Sequence, residues 1–473
     1  MSMPRLWIGG RWIETGAVLE VVNPVSGEPL ARVPLGTEQT LEDALAAATR
    51  AFPMVRAQPA HARAMVLQAV ARGLEQRRQE FIDTIVAEAG KPVTFAEAEV
   101  GRAIMTFTAA AEETRRQQGE LLDLDGFPSG TGHFGVMRRF PLGVIYGITP
   151  FNFPLNLVAH KVAPCLATGN TMIVKPAPKT PLTALLLAEV LEQAGVTPGQ
   201  INIVTCPNDL AGRLVGDARV KMVSFTGSPT VGWPLKERCG RQRITLELGG
   251  NAGVIVHEDA DLDSAIPAIA TGGFGYAGQS CISVQRVFVH AAVYETFRER
   301  LLDQVRTRVR VGDPRERDTV VGPMIDAGAA QRVVRWINEA VKTGARLLTG
   351  GQARGNLVEP AVLENVAPQA DLWAKEVFGP VVALRSYQDF KEALAQVNDS
   401  EFGLQAGVYT RDIARAWAAF SALDLGTVLL NDVPTFRVEN MPYGGIKASG
   451  FGREGIRYAM EEMTEIKSLI LKL

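Results

Sequence analysis

An α/β fold with parallel sheets is predicted for this chain by three observations. Short apolar runs alternate with helical patterns from about residue 143, a second alternation follows Glu247, and helix-forming residues crowd 40–118. In order, residues 6–33 read as strands and turns. Residues 40–118 read as amphipathic helices, with Thr40-Leu-Glu-Asp43 and Thr94-Phe-Ala-Glu97 fitting capping boxes. The runs 144–149, 171–175, 201–205 and 220–226 are strand-like, with helical stretches at 182–194 and 209–215, the rhythm of a parallel sheet with crossover helices. A further strand at 253–257 opens the second alternation, which extends to about residue 430. No repeat, low-complexity tract or linker interrupts the chain, so its domains are expected to pack closely.

The length, 473 residues, implies roughly two or three domains. Lys and Arg total 49 against 51 Asp and Glu, a net charge of −2, so no global field recommends nucleic acid or an anionic membrane as partner. A small molecule is the expected partner. Cys165, Cys206, Cys239 and Cys281 stand singly, without a CxxC pair, which argues against a disulfide framework and a zinc site. The N-terminus lacks a signal-peptide pattern, and no apolar run reaches the about 18 residues of a membrane span. A soluble, cytoplasmic protein in a reducing compartment is expected.

The chemistry concentrates in Gly278-Gln279-Ser280-Cys281 and Glu247-Leu248-Gly249-Gly250-Asn251. Glycine-rich backbone can present a thiol to a ligand, and a carboxylate in a second glycine-rich segment can serve it as a base. A lone cysteine is ordinarily a buried structural one, but Cys281 has company. Asn152, in Thr149-Pro150-Phe151-Asn152-Phe153-Pro154, follows a strand-like run where a parallel sheet opens its ligand crevice. It reads either as a turn residue or as an amide donor to an oxyanion. Lys175 and Lys179 flank prolines at the next strand end, where lysines are either solvated or hold a ribose or phosphate. Phe225-Thr226-Gly227-Ser228 and Gly232 supply a strand, a turn and a helix start suited to a pyrophosphate. The sequence Gly273-Phe-Gly275-Tyr-Ala-Gly278 matches GxGxxG, but the alanine-rich stretch before it is helical, so it is not read as a dinucleotide fingerprint.

Together, Pro150-Phe-Asn-Phe-Pro154, Gly169-Asn170-Thr171, Phe-Thr-Gly-Ser, Glu-Leu-Gly-Gly-Asn, Gly-Gln-Ser-Cys, Glu376-Val-Phe-Gly-Pro380 and Pro442-Tyr-Gly-Gly-Ile-Lys447-Ala-Ser-Gly450 resemble the NAD(P)-dependent aldehyde dehydrogenase superfamily in order and spacing, over most of the chain. The resemblance implies a Rossmann-type cofactor domain (1–120 and 141–249), an α/β catalytic domain (250–440) and a small β oligomerisation arm (121–140 and 455–473), hence a homodimer or homotetramer. It implies oxidation of an aldehyde to its carboxylate, with Cys281 as nucleophile, Asn152 at the oxyanion and Glu247 activating the water that releases the thioester. NAD or NADP is the implied cofactor, with Lys175 and Glu376 on the riboses, Gly227 and Ser228 at the pyrophosphate and Phe378 near the nicotinamide. Ile148, Thr149, Pro150, Pro178, Phe225, Gly232 and Leu248 are placed along the same cofactor. No metal is implied.

Where many relatives carry a ribose-binding glutamate, this chain has Pro178. Repulsion of a 2′-phosphate is thereby removed, and NADP is expected to be accepted without excluding NAD. The stretch 431–442 resembles the subgroup acting on small oxygenated or anionic aldehydes such as lactaldehyde, glyceraldehyde 3-phosphate, succinic semialdehyde or phosphonoacetaldehyde. By that resemblance Arg437, Phe153 and His160 lie at the substrate, although a loop arginine is also a common structural hydrogen-bonder. Ser280 stands where some members that bind phosphonate-like groups have arginine, which disfavours that substrate. Rival readings are a CoA-acylating dehydrogenase, against which Glu247 argues, a cysteine hydrolase, for which no histidine motif partners Cys281, and a non-catalytic protein on the same scaffold.

Overall fold

The computed structural model describes residues 4–117 and 119–473. Residues 1–3 of the N-terminus, and Gln118 at the end of the expected helical stretch, lie outside the described residues. Four helices, Glu38–Arg56, Ala60–Gln76, Arg78–Ala89 and Val93–Arg116, occupy the region read as helical.

Both expected capping boxes are corrected. The first helix is capped by Thr37, whose hydroxyl accepts from the Thr40 amide while the Thr40 hydroxyl accepts from the Thr37 amide, so Thr40 closes the box from inside the helix. The helix Val93–Arg116 has no side-chain cap; Pro92 precedes it, and the Pro314 carbonyl accepts from the Val93 amide at 2.7 Å, leaving Thr94 no capping duty. The helix expected at 209–215 shrinks to Asn208–Ala211.

Two large sheets organise the rest. In the first, the strands Ile201–Ile203, Thr171–Lys175, Val144–Ile148, Val220–Thr226 and Arg243–Glu247 lie in that order and run parallel. The central Val144–Ile148 is buried at every residue, as a parallel strand covered on both faces must be, which is why it reads as an uninterrupted apolar run. The chain order reverses between Val144–Ile148 and Val220–Thr226, which opens a crevice at the carboxyl ends of the strands. Antiparallel strands close its edges: Leu6–Ile8 and Arg11–Ile13 on one side, Gly450–Phe451 on the other.

The second sheet orders Arg346–Thr349, Ala361–Glu364, Val381–Tyr387, Val284–His290, Ala252–Val256, Gln405–Tyr409 and Thr427–Leu430, all parallel except the first. The chain passes from the end of Arg243–Glu247 to the start of Ala252–Val256 through 248–251 alone. The carboxyl edge of one sheet therefore meets the amino edge of the other, and each sheet carries its own apolar packing. A third, antiparallel sheet joins Glu120–Asp123, His133–Pro141 and Thr464–Lys472. Among the described residues no helix is long and apolar enough to cross a membrane.

Candidate active site

At the meeting of the two sheets lies a cavity of about 570 Å³, lined among others by Asn152, Glu247, Cys281, Glu376, Phe378 and Arg437. The backbone leading to the thiol is strained: Tyr276 and Ala277 hold φ of 52° and 54°, followed by Gly278 at 65°. Left-handed geometry at two non-glycine residues is costly and persists only where surroundings impose it. Here Gln279 does so, with Oε1 accepting from the Ile325 amide (2.9 Å) and Nε2 donating to the Pro323 carbonyl (3.2 Å). A Cβ on Gly278 would stand 2.1 Å from the Gly379 carbonyl oxygen, so only glycine permits that approach. The GxGxxG stretch begins in the last turn of the helix Leu262–Phe274 rather than after a strand, in keeping with its rejection as a fingerprint.

Burial pushes the Cys281 thiol up to about 12; the Tyr443 hydroxyl, 3.2 Å from Sγ, opposes that shift, and the Glu376 and Glu247 carboxyls add to it. Asn152 is buried, and its Nδ2 donates to the Gln279 carbonyl at 3.0 Å. An amide nitrogen carries two protons, so one N–H remains for a ligand. The helix that follows, Asn156–Thr168, has no side-chain cap of its own; Glu99 Oε1 accepts from the Leu155 and Asn156 amides at 2.9 and 3.1 Å. Glu99 is itself paired with the fully buried Lys91.

Glu247 ends its strand with both carboxylate oxygens buried and without hydrogen-bond partners. Burial, reinforced by the nearby Glu454, holds its carboxyl well above the usual range. Burial acts the same way on Glu454, but the cations Lys161 and Arg437 oppose it, and that carboxyl lies well below the usual range. Lys161 Nζ lies 3.1 Å from Glu454 Oε1, and Arg437 Nη2 lies 3.2 Å from Oε2. Two neighbouring carboxyls thus divide the roles of proton holder and fixed anion.

His160 sits on the helix after Asn152. Its Nδ1 lies 2.9 Å from Arg437 Nη2 and its Nε2 lies 2.6 Å from Glu439 Oε2. Because arginine can only donate, Nδ1 is an acceptor and the proton sits on Nε2, facing Glu439. Arg102 Nε reaches the other oxygen of Glu439 at 2.9 Å, while its Nη2 is buried without a partner. The Arg437 guanidinium also stacks 3.5 Å from the centre of the Tyr443 ring.

On the cofactor side, Gly227 and Ser228 lead into the helix Pro229–Arg238, whose amino end carries no side-chain cap. A Cβ on Gly232 would stand 2.4 Å from Leu248 Cδ2, so glycine lets this helix close onto the strand end. Lys175 Nζ donates to Asn208 Oδ1 at 2.7 Å, and Glu376 accepts from the Gly250 amide at 3.0 Å while burial lifts its carboxyl to about 7. Phe378, at φ 45°, meets Phe151 edge to face with ring centres 5.9 Å apart. An uncapped helix start beside glycines, with an ammonium at a strand end of the first sheet and a carboxylate on the segment leading into Val381–Tyr387, fits a dinucleotide.

Pro150, Phe153, His160, Gly227, Ser228 and Leu248 also line the cavity. Ile148, Thr149, Lys175, Pro178, Phe225 and Gly232 do not; they belong to the first sheet's carboxyl edge and the helix beside it. Lys179 is exposed and pairs with Asp326 at 3.3 Å. Sequence reasoning assigned no role to Arg102, Lys161, Tyr443 or Glu454. Tyr443 and Glu454 have glycine-rich neighbours as a signal, whereas Arg102 and Lys161 sit in helices with none. Among the described residues no cluster suits a metal ion.

The fold and the cavity define an oxidoreductase with a cysteine beside a dinucleotide cleft. The sequence profile of the aldehyde dehydrogenase family matches residues 12–469, and the chain belongs to that family as an NAD(P)-dependent aldehyde dehydrogenase. It is 39% identical over 469 residues to a 3-sulfolactaldehyde dehydrogenase of Priestia aryabhattai, covering 99% of this chain and 98% of the relative. The crystal structure of aldehyde dehydrogenase 21 from Physcomitrella patens in complex with the reaction product succinate superposes with a TM-score of 0.97 at 41% identity, covering 99% of this chain and 98% of that one. Glyceraldehyde-3-phosphate dehydrogenase of Methanocaldococcus jannaschii, complexed with NADP, superposes with a TM-score of 0.93 at 35% identity, covering 97% of this chain and all of the other.

Proposed function

We propose that the protein oxidises a small oxygenated or anionic aldehyde to its carboxylate through a thioester on Cys281. The observation that carries this reading is the shared cavity of Cys281 and Glu247, with both Glu247 oxygens free of partners. In this reading the Cys281 thiol loses its proton to water in the cavity, the thiolate sulfur attacks the carbonyl carbon, and the spare Asn152 N–H steadies the oxyanion. The dinucleotide, when bound, supplies the hydride acceptor, with Lys175, Glu376 and the 227–232 turn holding it. Glu247, as a carboxylate, then takes a proton from the water that attacks the thioester, and the C–S bond breaks to free the carboxylic product and return the Cys281 thiolate.

Arg102 and Arg437 border the same cavity and give it positive charge for an anionic substrate group. The named relatives support this preference: one acts on sulfolactaldehyde, one holds succinate, one is a glyceraldehyde-3-phosphate dehydrogenase. In the proposed organisation the first sheet binds the cofactor, the second carries the nucleophile, and the three-stranded sheet, with Leu469 and Ile470 exposed, joins copies into a homodimer or homotetramer in the cytoplasm. The test is NAD(P)H formation from a panel of short charged and neutral aldehydes, with and without CoA. Turnover without CoA supports the hydrolytic route; strict dependence on CoA replaces it with acyl transfer.

A further inference from the structure

Cys281 has one side-chain partner among the described residues: the hydroxyl of Tyr443, 3.2 Å from Sγ. The tyrosine is 3% exposed, and two backbone bonds to Glu454, of 3.0 and 2.7 Å, lock its loop to the next. The groups facing the thiol are Glu247 at the end of its strand, Glu376 ahead of Val381–Tyr387, and Arg437 and Tyr443 on the segment before Gly450–Phe451. Two of the four are carboxyls that oppose a thiolate. Arg437 is the cation among them, but its Nη2 bonds are to His160 and Glu454 and its guanidinium lies over the tyrosine ring.

We propose that Tyr443 is a catalytic residue whose hydroxyl donates to the Cys281 sulfur and holds it as thiolate, with the stacked Arg437 guanidinium strengthening the donor. The inference rests on Cys281 being the nucleophile. While sulfur keeps its proton, either atom of the pair can donate; once the S–H bond breaks and the proton moves to water in the cavity, only the phenol can. The hydrogen bond is then charge-assisted and stronger, so it favours the reactive state over the resting one. A cation over the ring face withdraws electron density from it and makes its O–H a better donor. The phenol stays protonated throughout: the sulfur lone pair forms the S–C bond, the carbonyl π pair moves to oxygen, and Tyr443 neither gains nor loses a proton. The Tyr443 side chain thereby joins the arginine at the substrate end of the cavity to the nucleophile.

The test is alkylation of Cys281 by iodoacetamide, a neutral reagent, followed across pH in the full-length protein, with Cys281→Ala as background for the three other cysteines. In Tyr443→Phe the rate at each pH is expected to fall roughly ten- to a hundredfold, the scale of a charge-assisted hydrogen bond, displacing the line of log rate against pH by about one to two units. Replacing Tyr443 by 3-fluorotyrosine, a more acidic phenol of nearly the same shape, is expected to raise the rate. That opposite sign is one a purely structural tyrosine does not give, and this variant also decides the matter if the phenylalanine protein fails to fold. An unchanged or faster alkylation in Tyr443→Phe, or an unchanged or slower one with fluorotyrosine, overturns the proposal. Aldehyde oxidation persisting in Cys281→Ala removes the nucleophile reading on which it rests. Loss of oxidation there, with alkylation indifferent to position 443, removes the tyrosine alone.

Discussion

The Lys91 ammonium lies 3.7 Å from the centre of the Phe153 ring, with the Tyr276 ring 4.6 Å away on the same cation. Phe153 follows Asn152, and Tyr276 begins the strained turn into Cys281, so one buried lysine touches both loops of the site. Its partner Glu99 caps the helix that Asn152 leads into. Lys91→Met leaves Glu99 without its cation and is expected to destabilise the protein by about 3–5 kcal/mol in chemical denaturation. Burial pushes Lys91 down to about 8, below its ordinary 10.5. The unfolded chain therefore binds this proton more tightly, and the lysine's contribution makes stability rise with pH between those values. The Met variant should lose that slope; a slope equal to the parent's would show that Lys91 does not titrate there.

Cys281→Ala is expected to abolish aldehyde oxidation while dinucleotide binding, read by calorimetry or fluorescence, survives. The residues proposed for the cofactor stand on the first sheet's strand ends and ahead of Val381–Tyr387, apart from the sulfur. Unchanged turnover would overturn the mechanism.

Glu247→Gln should permit hydride transfer and slow deacylation, giving a burst of NAD(P)H and then a slow steady rate. Loss of the burst as well would place Glu247 before hydride transfer, as the base that makes the thiolate. Because its carboxyl is held above the ordinary range, parental turnover should climb with pH as it ionises, and the Gln variant should lose that limb. The stability sign is opposite. A raised acid binds its proton more tightly when folded, so its contribution falls as pH climbs, and Glu247→Gln should flatten that fall in thermal denaturation.

What the sequence makes legible at this site are residues with a local signal. Asn152, Lys175 and Glu247 end strands or follow them among prolines and glycines, and Cys281 follows the Gly278 turn. Backbone that must turn or approach closely needs particular residue types nearby, so such positions announce themselves. Arg102 and Glu439, by contrast, meet across 337 residues of sequence, and Lys161 and Glu454 across 293. No local pattern encodes such pairs, because only the packing of helices against the sheet edge brings them together. The capping error at Thr94 shares that origin, since Val93 finds its acceptor in Pro314, whereas the one at Thr40 is local, because the box opens three residues earlier at Thr37.

Pro178→Glu should move cofactor preference toward NAD by roughly tenfold or more, since a carboxylate there would bond ribose hydroxyls and repel a 2′-phosphate. Lys175 gives one of its three N–H donors to Asn208 and keeps two for a ligand, while the exposed Lys179 pairs with Asp326 at the surface. Relative kcat/KM for the two dinucleotides is the measurement. Equal ratios before and after the change would mean that the adenosine end is read elsewhere.

Arg437→Met tests the anionic preference against a structural role for the arginine. The side chain is 5% exposed and bonded through Nη2 to His160 and Glu454, which favours structure; it also borders the cavity near Arg102, which favours substrate. A charge-assisted contact to a partly buried anion is worth about 1.5–3 kcal/mol, so KM for an anionic aldehyde should rise roughly ten- to a hundredfold if the contact is made. Succinic semialdehyde against butanal separates the two roles, since the pair share chain length and differ in charge. A selective loss for succinic semialdehyde supports the contact. A parallel loss for both would mean that removing the arginine disturbs Glu454, His160 and Tyr443 together, whereas no change for either would place the substrate's charge at Arg102, whose buried Nη2 has no partner within the protein.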